Sequence, residues 1–283
     1  MESIYETLDF GYDPGTVEDI PIADPPALAP DEIPYTVDPI YLPPVGMQTT
    51  PSCFVWASTY CLATYAAAVA VHTPPTTTDR QASAAYTYPQ VLLSVDGPRG
   101  TCTGGTIKSC FEWLSGNKGT PSLATAPDTD GCKATWRTYG NGGRTPDGAF
   151  IPPAWYKFSL LGTEGLEKMR MSILRGHPFA YGTRLYTDFV TYDGTTVPYT
   201  GNGQIAYKKG TNDPVGHVMV IFGYDDSMGP DGAVLIQNSF GTNWGGTFNA
   251  TSSRGYVWMA YPTFQALAQG DGVYIGQPRD PVG

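Results

Sequence analysis

Three side chains in this sequence have the types that nucleophilic catalysis needs. Cys53 begins an uncharged apolar run, His217 opens the run HVMVIFGY, and Asn238 lies near the end of the run AVLIQNS. A thiolate is a strong nucleophile, an imidazole can take up and return its proton, and a third polar group can fix the direction of the ring. The three residues are therefore a candidate nucleophile, a candidate general acid–base and a candidate orienting group.

Each of these residues also has a purely structural interpretation. A cysteine in an apolar run is commonly a core thiol, a strand histidine is commonly a satisfied polar group, and Asn238 could simply start a turn. The other two histidines, His72 and His177, lie beside prolines near predicted helix ends, where a structural or solvent-facing role is expected. Spacing along the chain must decide between the two interpretations.

The spacing of His217 and Asn238 favours the catalytic interpretation. The turn-rich loop 225–232 joins their two strand-like runs, which is the pattern of an antiparallel hairpin. Both residues lie at the open end of this hairpin, offset by about two positions, so we expect their side chains on one face and within reach. The amide oxygen of Asn238 could then accept a ring N–H of His217.

The residues around Cys53 predict the first turn of a long helix. Pro51 and Ser52 precede the cysteine, Ser52 is a candidate N-cap, and residues 52–71 carry no charge. The positive end of a helix favours a thiolate, and a neighbouring imidazole lowers a thiol pKa further, from about 8.5 to roughly 3.5–7.5. Residues 54–71 reach the shortest length that spans a membrane, but their Ala, Ser, Thr and Tyr content favours burial inside the protein.

The rest of the chain shows helical patterns first and strand patterns later. Further helices are predicted at 81–93, 106–114 and 163–175, and residues 116–153 are turn-rich. Strand patterns follow in FAYGTRLY, HVMVIFGY, AVLIQNS and GYVWMAY. This order predicts an α+β protein with a helical lobe at about 50–150, a β lobe at about 151–262 and a C-terminal segment at 263–283.

The charges are unevenly distributed along the 283 residues. Residues 1–79 hold eleven of the 26 acidic residues and no Lys or Arg, whereas the remainder is nearly neutral. The sequence contains no basic cluster of the kind that binds nucleic acid, so we expect no nucleic-acid partner. Its first residues show no signal-peptide pattern of a basic start followed by an apolar run.

The catalytic candidates lie in blocks that resemble the papain family of cysteine peptidases, in a form closer to bacterial-type members. PVGMQTTPSCFVWAS is similar to the block with the oxyanion glutamine and the nucleophile, which implies those roles for Gln48 and Cys53. GHVMVIFGYD and IQNSFGTNWGG resemble the blocks of the catalytic histidine and the orienting asparagine, which implies those roles for His217 and Asn238. The resemblance covers about residues 33–262 and implies a papain-like two-lobed fold with the cleft between a helical lobe and an antiparallel β lobe.

The resemblance also implies a set of substrate-binding residues. TCTGG is similar to the family's Cys-x-Gly-Gly block, which implies that Gly104 and Gly105 run beside the substrate backbone. By alignment, Gly182 and Val218 line the pocket for the second residue before the cleaved bond. The implied preference at that position is an apolar and bulky side chain.

The chain departs from the family pattern around the nucleophile and the asparagine. Gln48 precedes Cys53 by five residues where the family usually has six, which makes its oxyanion role less firmly implied than the triad. Phe240 stands where a tryptophan normally shields the Asn–His bond, and Trp244 keeps the second tryptophan of that block. We therefore expect Phe240 and Trp244 to be the shielding aromatic residues.

The five cysteines leave four once one is assigned as a free catalytic thiol. The shortened loop before Cys53 lacks the cysteine that pairs with the Cys-x-Gly-Gly cysteine in the family, so Cys102 lacks its usual partner. By position, Cys102–Cys132 and Cys61–Cys110 both remain open as pairs, and Cys61 and Cys110 could equally be core thiols.

The function that the resemblance implies is a cysteine endopeptidase, a thiol protease that hydrolyses peptide bonds of a protein or peptide substrate through an acyl-enzyme. It implies no cofactor, and the sequence has no HExxH or CxxC metal signature. Two alternatives remain: an acyl transferase or deamidase with the same Cys–His pair, and a catalytically silent papain-like binding module. The acidic, lysine-poor composition and the resemblance favour work outside the cytoplasm, in a secreted or extracytoplasmic protein.

The N-terminal extension, residues 1–32, is acidic and rich in proline. It is too short and too proline-rich for the helical propeptide of family zymogens. Two interpretations remain: a surface tail, or an inhibitory arm that contacts the cleft.

Overall fold

The helical half of the chain is built around one long helix, α1, at Cys53–Ala70 in the computed structural model, which describes residues 12, 35–95, 99–116, 119–141 and 150–276. Its middle, Trp56–Ala63, has π-helical geometry. Among the described residues α1 is the one helix long and apolar enough to cross a membrane, but 78% of it is buried inside the protein. The sequence-based preference for a core helix is confirmed, since an uncharged helix can be buried on most of its sides.

Three further helices surround α1, namely α2 at Ala84–Ser94, α3 at Ile107–Gly116 and α4 at Gly131–Tyr139. The first two confirm the helices predicted at 81–93 and 106–114. Helix α4 falls in the stretch 116–153 that the sequence predicts as turns. The helix buries only Thr135 and Trp136, so its sequence lacks the regular spacing of apolar residues from which a helix is predicted.

The described residues form one antiparallel sheet of seven strands, six of them from the second half of the chain. The strands are β1 Tyr35–Thr36, β2 Ala154–Ser159, β3 Phe179–Arg184, β4 Gly216–Asp225, β5 Ala233–Gln237, β6 Tyr256–Ala260 and β7 Ala268–Gly276. Their order is β2-β7-β3-β4-β5-β6, and β1 pairs with β4. Two helices accompany them, α5 at Gly162–Leu174, close to the predicted 163–175, and α6 at Tyr261–Leu267. The arrangement is the predicted α+β class.

Strand β7 changes the predicted division of the chain. It pairs with both β2 and β3, so residues 268–276 lie within the sheet, beyond the predicted end of the β lobe at residue 262. The strand begins AQGDG, and glycine and aspartate have low strand propensity. Pairing with a strand on each side overrides that local preference.

The hairpin predicted for the strands that lead to His217 and Asn238 is present. Strands β4 and β5 pair from Asp225↔Ala233 to Val220↔Gln237, with a register shift between Ile221 and Gly223. Both strands are buried along nearly their whole length. This pairing brings the first residues of β4 beside the residue that follows β5.

Candidate active site

The hairpin brings His217 and Asn238 into direct contact. His217 Nε2 lies 2.8 Å from Asn238 Oδ1, and both residues are buried. An amide oxygen can only accept a hydrogen bond, so Nε2 carries the proton and donates it. Nδ1 is then the ring nitrogen that can exchange a proton with a nucleophile.

Aromatic rings cover this hydrogen bond. The Phe240 ring stacks on the His217 imidazole, with 4.7 Å between the ring centroids. Trp244 packs edge-on against Phe240 and donates its indole N–H to the backbone carbonyl of Phe189. The apolar surroundings keep water from the His217–Asn238 bond, which strengthens it. Phe240 and Trp244 thus lie where the sequence predicts the shielding residues.

Cys53 is the first residue of α1, as its sequence context predicts. The Ser52 carbonyl accepts the N–H groups of Val55 and Trp56, which makes Ser52 the cap residue by position. Its side chain does not cap the helix, because the hydroxyl lies 2.7 Å from the Thr50 hydroxyl instead. The first turn of α1 packs against β4, the strand that carries His217. Cys53 and His217 thus belong to two elements that are in contact.

Gln48 is held beside Ser239, just after the end of β5. Its backbone N–H donates to the Ser239 carbonyl at 2.8 Å, and its side-chain oxygen accepts the Ser239 hydroxyl at 2.7 Å. The Gln48 amide nitrogen donates to the Thr50 carbonyl at 3.1 Å. The shortened loop therefore keeps Gln48 at the site despite the missing residue. Because an amide nitrogen has two hydrogens, the Thr50 bond uses only one of them.

Ser239 links the two halves of the site, a position that the sequence analysis missed. Its backbone N–H donates to Asn238 Oδ1 at 2.7 Å, the oxygen that also binds His217. Its hydroxyl orients Gln48, as described above. A continuous hydrogen-bonded path therefore runs from Gln48 through Ser239 and Asn238 to His217. The sequence signal for it is only that a hydroxyl residue directly follows Asn238.

Burial lowers the pKa of His217 from its usual 6.5 to about 4, and the hydrogen bond that the ring donates to Asn238 opposes this shift only in part. Neither Cys53 nor His217 has solvent-exposed surface in this structure. In this closed arrangement the imidazole is neutral at pH 7. A protonated His217 ring must be stabilised by water or by the negative charge of a neighbouring thiolate.

The other four cysteines have structural surroundings. Cys102 and Cys132 form a disulfide with 5.9 Å between their Cα atoms, while Cys61 and Cys110 are not in a disulfide. Of the two pairs that the sequence left open, the Cys102–Cys132 disulfide is present and a Cys61–Cys110 disulfide is not. Burial raises the pKa of Cys61, and it raises the pKa of Cys110 to about 12. Both thiols therefore stay protonated and unreactive at neutral pH.

The predicted substrate-binding glycines lie on two sides of one groove. Gly105 abuts the ring of Phe54, since a Cβ at this glycine would lie 2.6 Å from that ring, and Gly104 is the half-buried residue before it. On the sheet side, Gly182 of β3 pairs directly with Val218 of β4. Val218 is buried and lines an internal cavity between α1 and β4, together with Trp56 and Asn238 among others.

Tyr12 lies in this groove, and the sequence analysis did not single it out. It forms a parallel β-bridge with Gly105 and lies against Gly182 and Gly216. Tyr12 belongs to the N-terminal extension, whose two interpretations as a surface tail or an inhibitory arm both stay predictions. The rest of residues 1–32 lies outside the described residues.

Among the described residues no group of three His, Cys, Asp or Glu side chains could hold a metal ion.

The architecture is similar to that of solved cysteine proteases. Xylellain, a cysteine protease from Xylella fastidiosa, matches with a TM-score of 0.68 at 17% identity, covering 95% of this chain and 96% of that chain. Procathepsin L 3 from the larval midgut of Tenebrio molitor matches with a TM-score of 0.62 at 17% identity, covering 93% and 76% of the two chains. The bromelain protease of Ananas comosus, solved with the E64 inhibitor, matches with a TM-score of 0.56 at 17% identity, covering 83% and 93%.

The chain therefore has the papain-like fold, and its resemblance to a bacterial member is supported by the match to xylellain. Neither a protein-family model nor a curated protein sequence matches it. The likeness that these comparisons show is therefore one of fold.

Proposed function

We propose that this protein is a papain-like cysteine endopeptidase with Cys53 as its nucleophile. The observation that carries the proposal is the 2.8 Å contact between His217 Nε2 and Asn238 Oδ1, beside the N-terminus of the helix that begins with Cys53. A core cysteine needs no oriented imidazole. A nucleophilic thiol needs both the imidazole and a group that holds it.

In the proposed reaction the Cys53 thiolate attacks the carbonyl carbon of a peptide bond, forming a C–S bond while the carbonyl electrons move to the oxygen. The tetrahedral intermediate collapses and breaks the C–N bond, and the imidazolium of His217 gives its proton to the leaving amine. His217 then takes a proton from water, whose oxygen attacks the thioester. The thiolate leaves and the acid product is released.

Two N–H groups are candidates for stabilising the oxyanion, the backbone N–H of Cys53 and the second side-chain N–H of Gln48. This role of Gln48 is supported by the hydrogen bond that the Ser239 hydroxyl donates to the side-chain oxygen of Gln48. That bond fixes the amide group, so that its nitrogen points away from Ser239. Donors held in place before the reaction stabilise developing charge without reorganisation, and one such donor is worth about 10²–10³ in kcat.

The proposal is tested with Cys53→Ala and Cys53→Ser variants on casein and on peptides, with the products identified by mass spectrometry. Both variants are expected to stay folded and to lose hydrolysis. A Cys110→Ser variant is the matched control, because that thiol is buried away from the site and is expected to leave turnover unchanged. Hydrolysis by Cys53→Ala at the wild-type rate would refute the assignment of Cys53 as the nucleophile. Amine incorporation without cleavage would indicate the acyl-transfer alternative. A protein that neither cleaves nor transfers, even with Tyr12 replaced by alanine, would indicate the binding module.

We also propose that the protein works outside the cytoplasm. The Cys102–Cys132 disulfide supports this, since such bonds persist in oxidising compartments. Cell fractionation with detection of the mature chain tests it, and recovery in the cytosolic fraction with both thiols reduced would contradict it.

A further inference from the structure

One side chain, Thr49, ties the loop that carries Gln48 to the start of helix α4. The Thr49 hydroxyl donates to the Thr129 carbonyl at 3.0 Å and accepts the Gly131 N–H at 3.0 Å. A hydroxyl has one hydrogen to donate and two lone pairs, so both hydrogen bonds form at once. Thr49 thus joins two segments of the chain that lie 80 residues apart in the sequence.

The bond to Gly131 gives α4 a cap that its own residues do not supply. Gly131 is the first residue of α4, and the first N–H groups of a helix have no acceptor within the helix. Asp130 is in the N-cap position, but its side chain makes no capping hydrogen bond. The Thr49 hydroxyl acts as the capping acceptor instead. The same bond holds the Gln48 loop against the helix.

The two residues that accept and donate these bonds are themselves held in place. Cys132, the residue after Gly131, is joined to Cys102 by the disulfide. The Thr129 hydroxyl lies 2.6 Å from the hydroxyl of Thr135, which is buried. The start of α4 is therefore a firm attachment point for a loop that contacts it.

The loop that carries Gln48 has no covalent attachment of its own, because residues 44–52 contain no cysteine. The bonds of Gln48 reach Ser239 on the sheet side and Thr50 within the loop. Neither of these bonds connects the loop to the wall that α4 supports. Thr49 makes that connection, one residue away from Gln48.

We propose that Thr49 is a positioning residue for Gln48, the proposed oxyanion donor, and that it acts through the disulfide-anchored start of α4. This inference rests on the proposed peptidase function. The bonds of Thr49 fix the residue next to Gln48, so the side-chain N–H of Gln48 varies less in direction before the reaction. A donor held in place in advance stabilises developing charge without reorganisation. Loss of the Thr49 hydroxyl therefore weakens the stabilisation of the oxyanion and leaves the thiol unaffected.

The first experiment compares Thr49→Val, which keeps the shape of the side chain, with Thr49→Ser, which keeps the hydroxyl. Thr49→Val is expected to lower kcat for peptide hydrolysis about three- to tenfold with little change in KM, and Thr49→Ser to recover most of kcat. Alkylation of Cys53 by iodoacetamide develops no oxyanion, so its rate should stay within about twofold of wild type. Unchanged kcat in Thr49→Val, or an equal fall in both rates, would overturn the proposal.

Thr211 offers a matched control for the removal of an exposed hydroxyl. Like Thr49, it is an exposed threonine whose hydroxyl donates to a backbone carbonyl, that of Lys208, and accepts a backbone N–H, that of Asp213. Both of its bonds stay within one surface loop. Thr211→Val is expected to keep kcat and KM at the wild-type level. A fall in kcat equal to that in Thr49→Val would mean that the effect is not specific to Thr49, and would overturn the proposal.

The second experiment tests the route through α4 by adding Thr49→Val to the Cys102→Ser/Cys132→Ser variant. Removal of the disulfide loosens the residue after Gly131, so the attachment that Thr49 makes is less firm. Two changes that act through one attachment are not additive. We expect Thr49→Val to lower kcat less than about twofold in this background. The full three- to tenfold fall there would overturn the role of the disulfide-anchored helix.

The third experiment measures the order of Gln48 directly and separates this inference from the peptidase assignment. Magnetic relaxation of the Gln48 side-chain amide and hydrogen exchange of the Gly131 N–H are compared in wild type, Thr49→Val and Thr49→Ser. In Thr49→Val we expect a lower order parameter for the Gln48 amide and exchange at Gly131 about threefold faster or more, with Thr49→Ser close to wild type. That result supports the positioning role even if the protein hydrolyses no peptide. Equal order parameters in wild type and Thr49→Val would overturn it even if hydrolysis is observed.

Discussion

At the scale of single residues, the site depends on one oxygen atom that serves two donors. Asn238 Oδ1 accepts the ring N–H of His217 and the backbone N–H of Ser239. Removing it leaves a buried imidazole N–H without an acceptor, which costs about 1–3 kcal/mol. The same loss allows the ring to rotate away from the thiol.

An Asn238→Ala variant is therefore expected to lower kcat/KM about 10–100-fold, the usual effect of losing a group that orients a functional histidine. Its melting temperature should fall as well, because the buried imidazole N–H of His217 loses its acceptor. Steady-state kinetics on a peptide substrate and thermal unfolding measure the two effects. Unchanged kcat/KM in a folded variant would show that Asn238 does not orient the catalytic group.

Ser239 offers a sharper test of the oxyanion site. In a Ser239→Ala variant the Gln48 side chain loses the bond to its oxygen, so kcat for hydrolysis is expected to fall about tenfold with little change in KM. Alkylation of Cys53 by iodoacetamide develops no oxyanion, and its rate should stay within about twofold of wild type. If both rates fall together, Ser239 acts on the thiol rather than on the oxyanion site.

The lowered pKa of His217 predicts how stability depends on pH. The unfolded chain takes up this proton near pH 6.5, but the folded site takes it up only near pH 4. The unfolded state therefore binds more protons between these values, and the free energy of unfolding falls as the pH falls through this window. Urea unfolding at about pH 7 and about pH 4.5 measures the fall, which should be larger in wild type than in His217→Gln. An equal fall in both proteins would contradict the buried neutral imidazole.

At the scale of secondary structure, the disulfide and two side chains hold the segment that carries Gly104 and Gly105. Cys102 is bonded to Cys132 of α4, Trp136 of α4 donates its indole N–H to the Thr101 carbonyl, and Tyr88 of α2 donates its hydroxyl to the Thr103 carbonyl. Helix α4, which the sequence did not predict, thus acts as the anchor of the predicted substrate-binding segment.

A Cys102→Ser/Cys132→Ser variant is expected to lose about 2–4 kcal/mol of unfolding free energy, since it releases a long loop in the unfolded state. Because the loop carries Gly104 and Gly105, the predicted substrate-binding glycines, KM should rise more than kcat falls. Urea unfolding and steady-state kinetics measure both effects. An unchanged KM would show that the helical wall is held without the disulfide.

The elements that could be predicted are those with a strong local pattern. The uncharged run after Cys53 indicated α1, and the hydrophobic runs around His217 and Asn238 indicated the hairpin that joins them. Strand β7 could not be predicted in this way, because its first half is glycine-rich and only pairing with β2 and β3 makes it a strand. The same limit applies to α4, which buries few side chains.

At the scale of the whole molecule, the fold is set by blocks far apart in the chain. The His217 and Asn238 strands, the Cys53 helix and the Gly104–Gly105 segment meet at one groove although they span residues 53–238. The fold is similar to that of xylellain although the two sequences are only 17% identical. The position of Tyr12 could not be predicted, because a proline-rich acidic segment carries no pattern that specifies a contact.

The most direct test of the central claim is to react the protein with an epoxide selective for papain-type thiols, follow peptide hydrolysis, and map the adduct by mass spectrometry. The Tyr12→Ala variant is tested in parallel, so that an occupied groove does not hide a reactive thiol. We predict that hydrolysis is lost in proportion to modification of Cys53, with Cys61 and Cys110 unmodified. Hydrolysis that persists after Cys53 is fully modified, or an adduct on another cysteine that accounts for the loss, would contradict the proposed active site.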